Sequence, residues 1–116
     1  MDIVSLREFC ISLPHVEESF PFDENTLVFK VGGKIFLLVD IESNPLSFNV
    51  KCNPELAIEL REKYTHVKPG YHMNKKHWNT IVCETNLNDT LLKNWIDLSY
   101  NLVLNSLPKK IKSQLK

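Results

Sequence analysis

Two consecutive glycines, Gly32-Gly33, separate the segments TLVFKV and KIFLLVD. A two-residue turn that closes a hairpin needs positive φ at its central residues, and glycine adopts positive φ without steric cost. The middle of the chain is therefore committed to two adjacent antiparallel strands. KIFLLVD is apolar at both sets of alternating positions, so it is expected inside a sheet and covered on both faces. The following PLSFNVK alternates, which predicts Leu46, Phe48 and Val50 pointing inward and Ser47, Asn49 and Lys51 outward.

Helices flank these strands. Asp2 is an N-cap candidate for a helix from Ile3 to Leu13, with Ile3, Leu6, Cys10 and Leu13 on one face and Pro14 as its stop. The segment PHVEESFPFDEN then reads as an acidic loop, with Phe20 and Phe22 expected to anchor it to the core. Asn53-Pro54-Glu55 supplies a cap, a proline for the first turn and an acid, and so begins a second helix. Its stripe is Leu56, Leu60 and Tyr64, and Glu59 and Lys63 form a four-apart pair outside. Pro69-Gly70 is a turn and NTIVCE a short strand. Asn88 or Asp89 caps a third helix with Leu92, Trp95, Ile96, Ser99, Leu102 and Val103 on one face. Pro108 ends it, and the basic tail at 109–116 is expected to fray. Hairpins grouped before a helix, rather than strict βαβ alternation, predict an α+β fold: an antiparallel sheet with helices packed against it. A length of 116 residues, 43% of them hydrophobic, suits a single domain over 1–116 with its own core.

Several chemistries lack their signatures. Cys10, Cys52 and Cys83 are odd in number and far apart, which argues against a disulfide framework and for a cytoplasmic location. No signal peptide and no apolar run of membrane-spanning length is seen. His66, His72, His77 and Cys83 lack zinc-ligand spacing, so no metal is expected. Cys52 lies beside Lys51 and ahead of a helix start, both of which favour a thiolate. It has no identifiable base or orienting acid, and a buried structural thiol is the reading. Ser47 and Ser99 lack a nucleophile-elbow setting. Glu17, Glu18, Asp23 and Glu24 lack the alternating order of a calcium loop, and Gly32-Gly33 is not a phosphate loop. No cofactor and no catalytic residue is predicted, and the chain is not read as an enzyme.

The charge is balanced, at 14 basic and 14 acidic residues, but unevenly placed. Residues 1–50 carry three bases against eight acids, and residues 51–116 carry eleven against six. The stretch KPGYHMNKKHWNT, Lys68 to Thr80, holds three lysines, two histidines and two aromatics without one acid. Bases interleaved with aromatics are the footprint of a nucleic-acid surface. Lys51, Lys68, Lys75, Lys76 and His77 suit phosphate, while Tyr71, His72, Asn74 and Trp78 suit sugar, base or the shape of the groove. The competing reading makes Trp78 a core anchor and the lysines merely solvated.

VFKVGGKIFLL, PLSFNVKCNPELAIELREKY, VKPGYHMNKKHWNTI and WIDLSYNLVLNSLPKK together resemble the MmcQ/YjbR family, over residues 3 to 112. The GYHMNKKHWNT block is the most specific element. The resemblance implies a compact α+β domain related to the CyaY-like fold, and a double-wing DNA-binding motif. Its wings would fall at the Gly32-Gly33 hairpin and around Lys75 to Thr80. No catalytic residues come with it.

The leading expectation is a small monomeric DNA-binding protein making weak, largely sequence-independent contacts with the phosphate backbone. The alternative is a module that binds an acidic protein or a small anionic ligand through the same block. A basic stripe of duplex length would favour the first. An enzyme using Cys52 or His72 would need a concave pocket with a second polar group in reach. For the DNA reading, Glu17, Glu18, Asp23 and Glu24 must lie away from the lysines.

Overall fold

The computed structural model describes residues 1–71, 73–84 and 87–115. Its elements are α1 (Ile3–Ser12), β1 (Val16–Ser19), β2 (Thr26–Val31), β3 (Lys34–Asp40), β4 (Ser47–Lys51), α2 (Pro54–Lys63), β5 (Val67–Pro69), β6 (Trp78–Val82), α3 (Asp89–Ser106) and α4 (Lys109–Gln114). The strands form one sheet in the order β1-β2-β3-β4-β6-β5, and every pairing is antiparallel. The predicted class and the central place of β3 therefore hold.

The register sorts residues into two faces. Leu27, Val39, Phe48, Ile81 and Val67 lie side by side across the strands, and so do Phe29, Leu37, Val50 and Asn79. These rows face the helices and form the core with Leu6 and Cys10 of α1 and Leu92, Trp95, Ile96, Tyr100 and Val103 of α3. Trp95 meets the Tyr64 ring edge-on at 5.1 Å, and Tyr100 meets Phe36 at 5.4 Å. The intervening row is Val28, Leu38, Asn49, Thr80 and Lys68, on the opposite face.

β2 and β3 slip by one residue. Phe29 lies opposite Leu37 and Lys30 opposite Ile35, so Phe36 is the extra residue of a β-bulge. The Phe36 carbonyl instead accepts the Ser99 hydroxyl of α3 at 2.6 Å. The Ser99 Oγ in turn accepts the Lys51 amide at 2.8 Å. Ser99, fully buried, thus ties α3 to a bulge and to the last residue of β4. At the hairpin, Gly32 and Gly33 have φ of 58° and 82°. A Cβ on Gly32 would lie 2.5 Å from Leu107 Cδ1, because α4 and the residues before it pack onto the turn.

Several sequence expectations are corrected. VEES is a strand rather than part of the acidic loop, because β1 pairs with β2 along its whole length. Phe20 and Phe22 do not anchor to the core; they are 47% and 64% exposed. In α2 the buried residue is Ala57, while Leu56, Leu60 and Tyr64 are half-buried. In α3 Tyr100 is buried where Leu102 was expected, and its hydroxyl donates to the Pro14 carbonyl at 2.6 Å. Residues 109–114 of the basic tail form a helix, α4.

Candidate nucleic-acid interface

In an antiparallel sheet, successive connections alternate between the two ends of the strands. Residues 32–33 lie at one end. Residues 13–15, 52–53, 70–71 and 73–77 lie there too, since Val16 pairs with Val31 and Lys51 with Trp78. Residues 107–108 join them through the contact of Leu107 with Gly32. None of these connections contains Asp or Glu. Residues 20–25, 41–46, 64–66, 83–84 and 87–88 lie at the other end, and none is Lys or Arg. They hold Asp23, Glu24, Glu42 and Glu84, with Asp40 closing β3 beside them.

The result is a charge axis along the strands. Lys34, Lys51, Lys75 and Lys76 stand at the first end, with Lys109 and Lys110 opening α4. The N-terminus of α2 also lies there and adds the positive pole of its dipole, partly offset by Glu55 in its first turn. Of the acids between α1 and β2, Glu18 is held by Arg7 through bonds of 2.6 and 2.9 Å. Asp23 accepts the amides of Asn25 and Thr26, which hold its carboxyl below the usual range. Glu17 is opposite Lys30 on the edge pair. Asp23 and Glu24 therefore lie at the end of the sheet opposite the lysine-bearing loop, whereas Glu17 and Glu18 lie on β1, which begins at the hairpin end with Val16 opposite Val31.

The 70–77 loop is braced rather than loose. The Gly70 amide donates to the Trp78 carbonyl at 2.9 Å, and a Cβ on Gly70 would come within 2.8 Å of Trp78 Cβ. The amides of His77 and Trp78 both reach the Asn74 carbonyl. Asn74 Oδ1 accepts the Lys76 amide at 2.9 Å and caps the turn. The Cys52 amide donates to the His77 carbonyl at 2.7 Å, and Arg61 donates to the Lys75 carbonyl at 3.1 Å. Lys75 Nζ rests on the Gly70 carbonyl at 3.2 Å. Asn79 Nδ2 donates to the Ala57 carbonyl of α2.

The structure thus brings Lys51, Lys75, Lys76 and His77 to one end and leaves Lys75 and Lys76 exposed. Lys68 is exposed on β5, in the open-face row beyond Thr80. Trp78 is half-buried beside Lys51. Tyr71 is 70% exposed. His72 falls outside the described residues. The sequence reading missed Lys34, Lys109 and Lys110 as neighbours of this end. The signal available for Lys34 was its place directly after the double glycine.

Other chemistry is limited. Burial raises the thiol pKa of Cys10 to about 12 and of Cys83 to about 11, and raises that of Cys52 as well. Among the described residues, no group of three or more His, Cys, Asp or Glu is placed to hold a metal. Among them, too, no helix is long and apolar enough to cross a membrane.

The family model for YjbR matches residues 11–102. The chain belongs to the YjbR family. This YjbR-family chain is 39% identical over 114 residues to the uncharacterized protein YbdF of Escherichia coli O157:H7, covering 95% of this chain and 93% of that one. It is 33% identical over 110 residues to the uncharacterized protein YjbR of Escherichia coli strain K12, covering 95% and 93%. Protein DR2400 of Deinococcus radiodurans, a DUF419 domain known from its crystal structure, superposes with a TM-score of 0.92 at 39% identity, covering 98% of this chain and 87% of that one. A Pseudomonas syringae protein of known crystal structure shares the fold, with a TM-score of 0.76 at 23% identity over 89% of this chain and 99% of that one.

Proposed function

We propose that this YjbR-family protein binds DNA through the basic end of its sheet, by contacts with the phosphate backbone. The observation that carries the reading is the sorting of charge. Every connection at the hairpin end lacks an acid, and every connection at the other end lacks a Lys or Arg. A protein with no net charge attracts a polyanion through a surface where bases collect, and this topology brings Lys34, Lys51, Lys75 and Lys76 to one end. The hairpin and the 70–77 loop flank β4 there, as the two wings of the family resemblance would.

Lys75 and Lys76 lie at the tip of the 70–77 loop and supply charge, as do Lys34 and Lys51. The bracing of the loop by Asn74 and Gly70 fixes their spacing before contact, which lowers the ordering cost of binding. Asn74 Oδ1 and the backbone of Trp78 are engaged in that bracing, so few groups on this loop remain to read base edges. Binding is correspondingly indifferent to sequence.

The test is a charge reversal. Lys75→Glu with Lys76→Glu should weaken binding to unrelated duplexes by a similar factor, with the fold verified by circular dichroism. Glu24→Lys at the acidic end should change affinity far less. Equal affinity of wild type and the folded double variant would refute the assignment of this end.

A further inference from the structure

The open face of the sheet carries a groove of about 440 Å³. Leu38 and Ile35 of β3 line it, with Asn49 of β4 and Asp40 at the end of β3. Phe22 comes to it from the 20–25 connection, and Tyr71 and Met73 from the 70–77 loop. Two exposed aromatics from distant parts of the chain therefore border one concavity. Tyr71 is held there through its amide, which donates to Thr80 Oγ1 at 2.9 Å. The Thr80 hydroxyl in turn donates to Asn49 Oδ1. That bond leaves the Asn49 amide NH₂ as its donor side, while the Asp40 carboxylate is an acceptor.

We infer that this groove takes one unpaired base of the bound nucleic acid, an inference that rests on the proposed DNA binding. A groove of this size matches a small planar ring with its sugar. The apolar side chains of Leu38 and Ile35 and the rings of Phe22 and Tyr71 suit a flat π-face. Asn49 and Asp40 supply one donor and one acceptor for the Watson–Crick edge, which is exposed only when the base is out of the duplex. The charges around the groove fit a nucleotide. Lys68 continues the row beyond Asn49 and Thr80, Lys30 lies opposite Ile35, and Lys51 lies opposite Trp78, all on this face. Acids also stand on this face: Asp40 within the groove, Asp23, which accepts the hydroxyl of the groove residue Thr26, and Glu17 opposite Lys30. Because Tyr71 and Met73 belong to the loop that carries Lys75 and Lys76, a strand engaged at the basic end leads onto the groove.

The experiment compares a fully paired fluorescent duplex with the same duplex bearing one extra, unpaired 2-aminopurine. The bulged duplex should bind about tenfold more tightly, and 2-aminopurine emission should be quenched on binding. Phe22→Ala, at an exposed position, should bring the bulged duplex down to the affinity of the paired one and abolish the quench. Lys75→Glu with Lys76→Glu should weaken both duplexes and preserve their ratio. Equal wild-type affinity for the two duplexes, or a preference that survives in Phe22→Ala, would overturn the inference and leave backbone binding standing. If neither duplex binds, the proposed function has failed. Adenosine titrated into labelled protein then decides the groove alone: shifts of the Leu38 and Ile35 methyl resonances sustain the base site, and their absence overturns it.

Discussion

Removing one buried oxygen, in Ser99→Ala, should loosen the joint between α3 and the sheet. Ser99 Oγ donates to the Phe36 carbonyl at 2.6 Å and accepts the Lys51 amide at 2.8 Å. Alanine leaves both backbone groups without that partner. A buried polar group stranded in this way costs about 1–3 kcal/mol. The Lys51 amide is at a half-exposed residue and regains some water, so its share falls at the low end. Alanine returns a few tenths of a kcal/mol through its better helix propensity. The net expectation is a loss of about 2–4 kcal/mol, or about 8–16 °C in Tm for a chain of this size. Urea unfolding followed by circular dichroism reads the loss directly. Ser106→Ala is the control, because its hydroxyl only bonds back to the Val103 carbonyl in the last turn of α3. That change should stay within about 0.5 kcal/mol. If Ser99→Ala is equally mild, the hydroxyl bridge does not hold the bulge, and the reasoning is wrong.

Two further predictions concern the turn and the thiols. Gly32→Ala should destabilise by more than Gly33→Ala. Both glycines have positive φ, but only Gly32 would drive a Cβ into Leu107, and thermal melts of the two variants should separate by about 1 kcal/mol or more. Cys10, pushed up from 9.0 to about 12, keeps its proton in the folded state while the unfolded chain loses it. Stability from this group is therefore complete below pH 9 and is lost as pH rises towards 12, and urea midpoints in Cys10→Ala should fall less steeply over that window.

The hairpin, the three main helices and the antiparallel class were legible because their signals are local: a double glycine, capped apolar stripes, a two-residue alternation. β1 was not legible, because VEES has charge on both alternating sets. It is a strand because β2 offers it an edge, and Glu18 is accommodated there by Arg7 from α1. β5 is three residues long and ends in proline, which gives no periodicity to read. α4 has one apolar anchor, Ile111, whose partner Gly32 is distant in sequence. Phe22 was misplaced because hydrophobicity alone cannot distinguish a core anchor from the border of a groove. The lysines of the candidate interface were visible in the sequence. Their gathering at one end was not, since it depends on which connections share an end, and that follows from strand order. The bond from the Lys76 amide to Asn74 Oδ1 was likewise not legible, since it depends on the turn that the loop adopts.

The central claim is that the hairpin end neutralises backbone phosphates, and the salt dependence of duplex binding tests it most directly. Each phosphate contact releases counterion and contributes about −0.9 to the slope of log affinity against log salt. Contacts from Lys34, Lys51, Lys75 and Lys76 give a slope of roughly −3 to −4, and loss of the last two in the double charge reversal brings it to about −2 or flatter. A wild-type slope near zero, no measurable affinity at low salt, or an unchanged slope in the folded double variant would contradict the account.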